Sequence, residues 1–204
     1  MQRITTHDEL RDIIGTPIPR VAAKVRPALH DLDRDWLAAS PFCLVATSDD
    51  DGNMDVSPKG DPPGFAVVLG PTTIAIPERS GNRRADGFHN IIDNPHVGLI
   101  FMIPGRGDTL RINGQASLVR DDDLFDRMTV HGHRPELALL VEIEEVFYHC
   151  SKAFLRSALW EPASWSPSVA PSRPVIAKTI EQPQASMEAL EEYYGSSYAA
   201  KLYQ

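Results

Sequence analysis

Apolar residues along this chain change their spacing several times, and each change marks a change of element. Thr6 followed by Glu9 forms a capping-box pattern, and Leu10, Ile13 and Ile14 then recur at helical spacing until Gly15. A short helix is predicted there. Residues 16–27 hold three prolines and read as an extended arm. Residues 31–39, with Leu32, Trp36 and Leu37 on one side, predict a second helix. From Phe42 the period becomes that of strands bounded by turn signals. Residues 42–47 and 54–58, joined by Asp49-Asp50-Asp51-Gly52-Asn53, read as a hairpin whose Asp-Gly pair tolerates positive φ. Further strands are predicted over 65–69, 72–76, 97–103, 109–119 and 137–148. Two helices interrupt them, at 82–93, ended by Asn94-Pro95, and at 121–128. Residues 152–160 return to helical spacing, 161–174 carry four prolines and read as a surface arm, and 187–202 predict a final helix with a tyrosine stripe. Many short strands with few helices between them favour an antiparallel barrel or sandwich over a parallel sheet.

Composition narrows the functional class. A chain of 204 residues suits one domain with terminal extensions, and 42% hydrophobic with 24% charged residues is the balance of a globular protein. The net charge of −8 opposes general binding to nucleic acid or to an anionic membrane, so an anionic ligand must be met by a local basic cluster. The two cysteines, Cys43 and Cys150, belong to no paired motif. Together with the lack of a signal-like start or a long apolar run, this gives the expectation of a cytoplasmic protein that neither enters membranes nor binds nucleic acid.

One octapeptide stands out: Pro77-Glu78-Arg79-Ser80-Gly81-Asn82-Arg83-Arg84, directly after the apolar run ending at Ile76. Guanidinium forks match phosphate oxygens in pairs, and backbone N–H groups around a glycine turn extend such a cradle. On its own the stretch reads equally as a solvated turn. Its neighbours carry more: a hairpin ending in Val56-Ser57-Pro58-Lys59-Gly60, the Asn94-Pro95 helix stop, the strand Gly98-Leu99-Ile100-Phe101, and Thr109-Leu110-Arg111-Ile112-Asn113-Gly114.

In this order, these segments resemble the pyridoxamine 5′-phosphate oxidase-like family of FMN-binding split β-barrels. The resemblance spans about residues 32–160. It implies a mainly β fold, a split barrel, with a helix and proline arm at 1–31 and an arm and helix at 161–204. It also implies a homodimer with FMN in a groove between the subunits and a small-molecule substrate. Carried over residue by residue, Val56, Ser57, Pro58 and Lys59 lie along the isoalloxazine, with Lys59 at its polar edge, and Ile76 and Pro77 flank the ring. Arg79, Asn82 and Arg83 hold the 5′-phosphate, with Arg84 joining them or facing solvent. Arg111 meets the phosphate or the pyrimidine end, and Thr109 reaches the ring. Read without the resemblance, the lesser alternatives are that Lys59 is an ordinary exposed lysine and that Arg111 pairs with an acid across the sheet.

The chain departs from the authentic oxidases at its end. It lacks their Trp/Arg/His-rich segment and has His149-Cys150-Ser151-Lys152 through Trp160 instead, which speaks against oxidation of a B6 vitamer and for another flavin-binding branch. The expected function is an FMN-dependent oxidoreductase with no catalytic residue assigned. The alternatives are a deazaflavin enzyme with Arg106 or Lys24 on the longer anionic tail, or a binding protein without turnover, for flavin or for haem on His149. His131-Gly132-His133 lacks further ligands at metal spacing, Asp121-Asp122-Asp123 reads as helix capping, and Asp49–Gly52 as a hairpin tip. No metal is expected.

Overall fold

The computed structural model describes residues 1–120, 122–199 and 202–203. Seven strands form one antiparallel sheet: β1 Phe42–Ser48, β2 Met54–Gly60, β3 Val67–Val68, β4 Thr73–Pro77, β5 His96–Met102, β6 Thr109–Val119 and β7 Ala138–His149, in the order β2-β1-β5-β6-β7-β4-β3. The hairpin between β1 and β2 closes as its sequence requires: Gly52 takes φ 83°, and the Asp49 carboxylate accepts from the Asn53 N–H at 2.8 Å.

Alternate residues of the strands point to a common interior. Cys43 and Val45 of β1, Leu99 and Phe101 of β5, Leu110 and Ile112 of β6, Val141 and Val146 of β7, and Ile74 and Ile76 of β4 belong to one buried cluster. Strands β1 and β4 lie far apart in the sheet order, so sharing a core requires the sheet to curl. Trp36 and Leu37 of α3 (Asp31–Ala39), with Phe65 and Ala66, join the same cluster. A smaller cluster packs Phe125 and Met128, at and just beyond α5 (Asp122–Arg127), against Ala75 and Ala138. The protein is thus mainly β, a split barrel with helical segments at both ends.

Those helices start and stop for local reasons. At α1 (His7–Ile14), Thr6 and Glu9 exchange both bonds of the capping box. Residues 19–22 make a further short helix, α2 (Pro19–Ala22). The helix expected over 82–93 begins only at Asp86, as α4 (Asp86–Asp93), because Arg83 and Ala85 adopt left-handed φ of 61° and 59°. After β7, α6 (Lys152–Ser157) ends three residues before the expected 160, where Ala158 turns left-handed at φ 49°. The proline arm contains two 3₁₀ turns, Pro162–Ser164 and Pro167–Val169. Beyond it come α7 (Arg173–Ile176) and a π-helical turn, Ala177–Glu181. The last expected helix is instead two pieces, α8 (Met187–Tyr193) and α9 (Ser196–Ala199), with Gly195 between them. Asp121 of the expected 121–128 helix, and residues 200 and 201 of the last one, lie outside the described residues.

The N-terminal arm is pinned by one buried carboxylate. Arg26 exchanges backbone hydrogen bonds with Val146 of β7, and its guanidinium donates to Asp33 of α3 at 2.6 and 3.0 Å. The Asp33 side chain is fully buried and also accepts the His30 N–H at 2.7 Å. Burial pushes its pKa up, but the Arg26 hydrogen bonds, the His30 N–H and the Arg26 charge outweigh burial and hold it below the ordinary carboxylate value.

Two predictions follow from this packing. Because its folded pKa is depressed, Asp33 contributes stability that is complete above its unfolded pKa, about 3.9, and is lost as pH falls through the folded value. Asp33→Asn should cost about 1–3 kcal/mol in urea unfolding at pH 7, less than a fully buried pair because Arg26 is partly solvated, and the difference from wild type should shrink below about pH 4. Second, Gly114 lies at a register shift between β6 and β7, where a Cβ would overlap the Glu142 carbonyl oxygen. Gly114→Ala should therefore destabilise by at least about 2 kcal/mol, since backbone cannot yield as a flexible side chain can.

A phosphate-type loop and an unpaired sheet face

The loop between β4 and α4 is held at its start by two ion pairs. Strand β4 pairs with β7 through Pro77 and Ala138, and the Glu78 N–H continues the ladder to the Leu137 carbonyl at 2.9 Å. Ile76 and Pro77 are buried and anchor the start of the loop. Glu78 accepts from Lys59 Nζ, which also lies 4.7 Å from the Phe88 ring centroid. Lys59 is thereby a paired, largely buried residue, not an exposed lysine.

Arg79 is committed just as fully. Its Nε donates to Asp61 at 2.5 Å, one terminal nitrogen to the Met128 carbonyl at 2.6 Å, and the other to the His133 carbonyl at 3.2 Å. Asp61 is 1% exposed and accepts a second hydrogen bond from the Tyr203 hydroxyl at 2.6 Å. Arg79 therefore ties the exit of β2, the end of α5 and the turn at His133 to the loop.

Past this knot the basic residues diverge. Arg84 pairs with Asp86 at 2.7 Å, while Asn82 Oδ1 accepts the Arg84 N–H at 3.0 Å and shapes the turn. Arg83 is exposed and left-handed, and among the described residues its side chain takes part in no hydrogen bond or ion pair. It lines a cavity of about 650 Å³ with Ser80, Gly81, Asn82, Phe88 and His133. Helix α4 opens beside it from Ala85, which offers no side-chain cap to the first N–H groups. Among the described residues, Arg83 is the one arginine of the loop's three without a carboxylate partner; backbone N–H groups lie alongside. That donor set fits a phosphate.

The remaining sequence-predicted residues fall on two faces. Ser57 and Lys59 pair with Val45 and Cys43 and so share the inner face. Ser57, Asp55 and Thr47 crowd Gly87 of α4, where an added Cβ would meet the Asp55 carboxylate at 3.2 Å and Thr47 Oγ1 at 3.3 Å. Val56 and Pro58 lie on the outer face. There a cross-strand row runs Pro58, Leu44, Ile100, Arg111, Phe147. Among the described residues Arg111 meets no acid across the sheet and its buried Nε has no hydrogen-bond partner; its guanidinium lies 5.1 Å from the Phe147 centroid. Lys24 approaches the same ring at 5.1 Å. His149, opposite a buried Thr109, has its pKa lowered by burial and then by the charges of Arg111 and Lys24. Met54 and Val56, 67% and 56% exposed, leave this face apolar at its β2 edge.

Three contributors had no signal in the sequence. Asp61 sits in a Gly-Asp-Pro-Pro turn with nothing to mark it as the acceptor of Arg79. His133 and Tyr203 reach the cavity from 50 and 120 residues beyond Arg83. Breaking the knot should be costly: Asp61→Ala leaves a largely buried guanidinium unpaired and should destabilise by about 3–5 kcal/mol in urea unfolding. A loss below about 1 kcal/mol would show that solvent replaces the pair.

The chain is similar to several known proteins. Among solved structures, HupZ of Group A Streptococcus shares 18% identity over 59% of this chain and 93% of its own, with a TM-score of 0.47. An FMN-binding protein from Syntrophomonas wolfei shares 14% over 59% of this chain and 90% of its own, with a TM-score of 0.44. An F420 reductase shares 16% over 57% and 94%, with a TM-score of 0.40. No curated protein matches the chain. Residues 29–150, more than half of the sequence, match the model of the pyridoxamine 5′-phosphate oxidase family, and the chain belongs to that family.

Proposed function

We propose that this protein is a homodimeric FMN-binding oxidoreductase acting on a small molecule. The observation that carries the reading is Arg83, a guanidinium without a protein partner on the wall of a 650 Å³ cavity, on a loop whose other basic groups are already neutralised. In this reading Arg83, the loop backbone and the start of α4 hold the 5′-phosphate, while Asn82 and Arg79 set the loop's shape. FMN, when bound, supplies the hydride or electron transfer, and the protein supplies position and polarity around it.

Two features support a second chain at the site. Arg83 belongs to the loop and Arg111 to the outer face, three strands and about 14 Å from Pro58 of the same row. A ligand that engages both is best served by the loop of one subunit and the outer face of the other. The orphaned Arg111 Nε and the exposed Met54 and Val56 are groups that a partner subunit with its bound flavin would satisfy. The longer tail of a deazaflavin is less well provided for, since Arg106 is bound to Asp108 at 2.8 and 3.0 Å and Lys24 to the Tyr148 carbonyl at 2.8 Å. A cytoplasmic location belongs to the same proposal. It is supported by two free cysteines and by the finding that, among the described residues, no helix is long and apolar enough to cross a membrane.

Arg83→Ala should weaken FMN binding about 10- to 100-fold by flavin fluorescence titration, the effect of losing one or two charge-assisted hydrogen bonds. The unfolding midpoint should stay unchanged, because the side chain is exposed. Unaltered affinity would remove Arg83 from the site.

A further inference from the structure

The geometry points to Tyr203 as a specificity residue that restricts the cavity to a flavin whose phosphate is terminal. The inference rests on the FMN reading above and concerns what lies past the phosphate. Beyond the loop, the cavity is walled by the 132–137 stretch and by Leu202 and Tyr203. His133 offers there the flat surface on which a further aromatic ring could lie. Tyr203 already covers it: the two rings are stacked, 5.7 Å apart at 28°, and the His131 ring meets Tyr203 edge-on at 5.5 Å.

Tyr203 is fixed in that place. Its hydroxyl donates to the buried Asp61 at 2.6 Å, and the Arg79 guanidinium lies 5.8 Å from its ring centroid. The Asp61 hydrogen bond raises the phenol's pKa above its ordinary value, so the hydroxyl keeps its proton and continues to donate. A flavin mononucleotide ends at its phosphate and needs nothing from His133. A flavin that continues through a second phosphate to an adenine must find a stacking surface, and it meets Tyr203 already seated on one. Discrimination then comes from an occupied platform rather than from better contacts to the shorter ligand.

The test is a pair of titrations, FMN and FAD, followed by flavin fluorescence on the full chain as wild type, Tyr203→Ala and Tyr203→Phe. Wild type should prefer FMN by about tenfold or more. Tyr203→Ala should narrow that preference at least about tenfold, chiefly by tighter FAD binding, while Tyr203→Phe, which keeps the ring, should hold it within about threefold of wild type. Equal wild-type affinities for FMN and FAD would overturn the inference without touching the FMN reading, and would do so even if Tyr203→Ala did not fold. An unchanged ratio in a folded Tyr203→Ala would overturn it as well. Wild type that binds neither flavin would overturn the FMN reading, and this inference with it.

Discussion

Two ion pairs, Arg79 with Asp61 and Lys59 with Glu78, hold the split barrel shut. Among the described residues no ladder joins β2 to β4, although the curl of the sheet brings their ends together. The seam is bridged by side chains instead. Both pairs are largely desolvated, and charges in such surroundings persist only when each is matched and hydrogen-bonded. The matching has a consequence for the loop between β4 and α4. With Lys59, Arg79 and Arg134 each paired to a carboxylate, Arg83 is the cavity-lining guanidinium without such a partner among the described residues, displayed from a left-handed backbone.

The same economy appears on the outer face. Interior side chains of β1, β5, β6 and β7 fill the barrel, so the alternate residues Leu44, Ile100 and Phe147 must face outward around Arg111. Apolar residues on both faces of the sheet, and on the outer one a buried guanidinium nitrogen without a hydrogen-bond partner among the described residues, are what the proposed second subunit would cover. In the proposed reading, loop and face are two halves of one ligand environment, on opposite sides of the strand that carries Val56 through Lys59.

Local chemistry was legible in the sequence wherever the signal was itself local. The capping box at Thr6 and Glu9, the Asp-Gly hairpin and the period-two strands all depend on neighbours within a few residues, and the family resemblance added the split barrel. The start of α4 was misread because Arg83 and Ala85 are ordinary helix residues whose left-handed turn is imposed by the anchored loop, not by their own preference. The commitment of Arg79 was invisible for another reason: Asp61, Met128 and His133 are far away in sequence, and only the fold brings them together. Tyr203 escaped notice because it lies one residue past the helix expected over 187–202 and carries no local signal of its own. In the fold, Tyr193, Tyr194 and Tyr198 pack on one another, while Tyr203 turns back to the barrel.

The central claim, that one flavin is gripped by the loop of one subunit and the outer face of its partner, is tested most directly by subunit mixing. Arg83→Ala and Arg111→Ala chains are each assayed for bound FMN per dimer, then refolded together and assayed again. If the two halves meet across the interface, each variant alone binds weakly and the mixed dimer regains one tight site. A mixed dimer that binds no better than either parent would contradict the account.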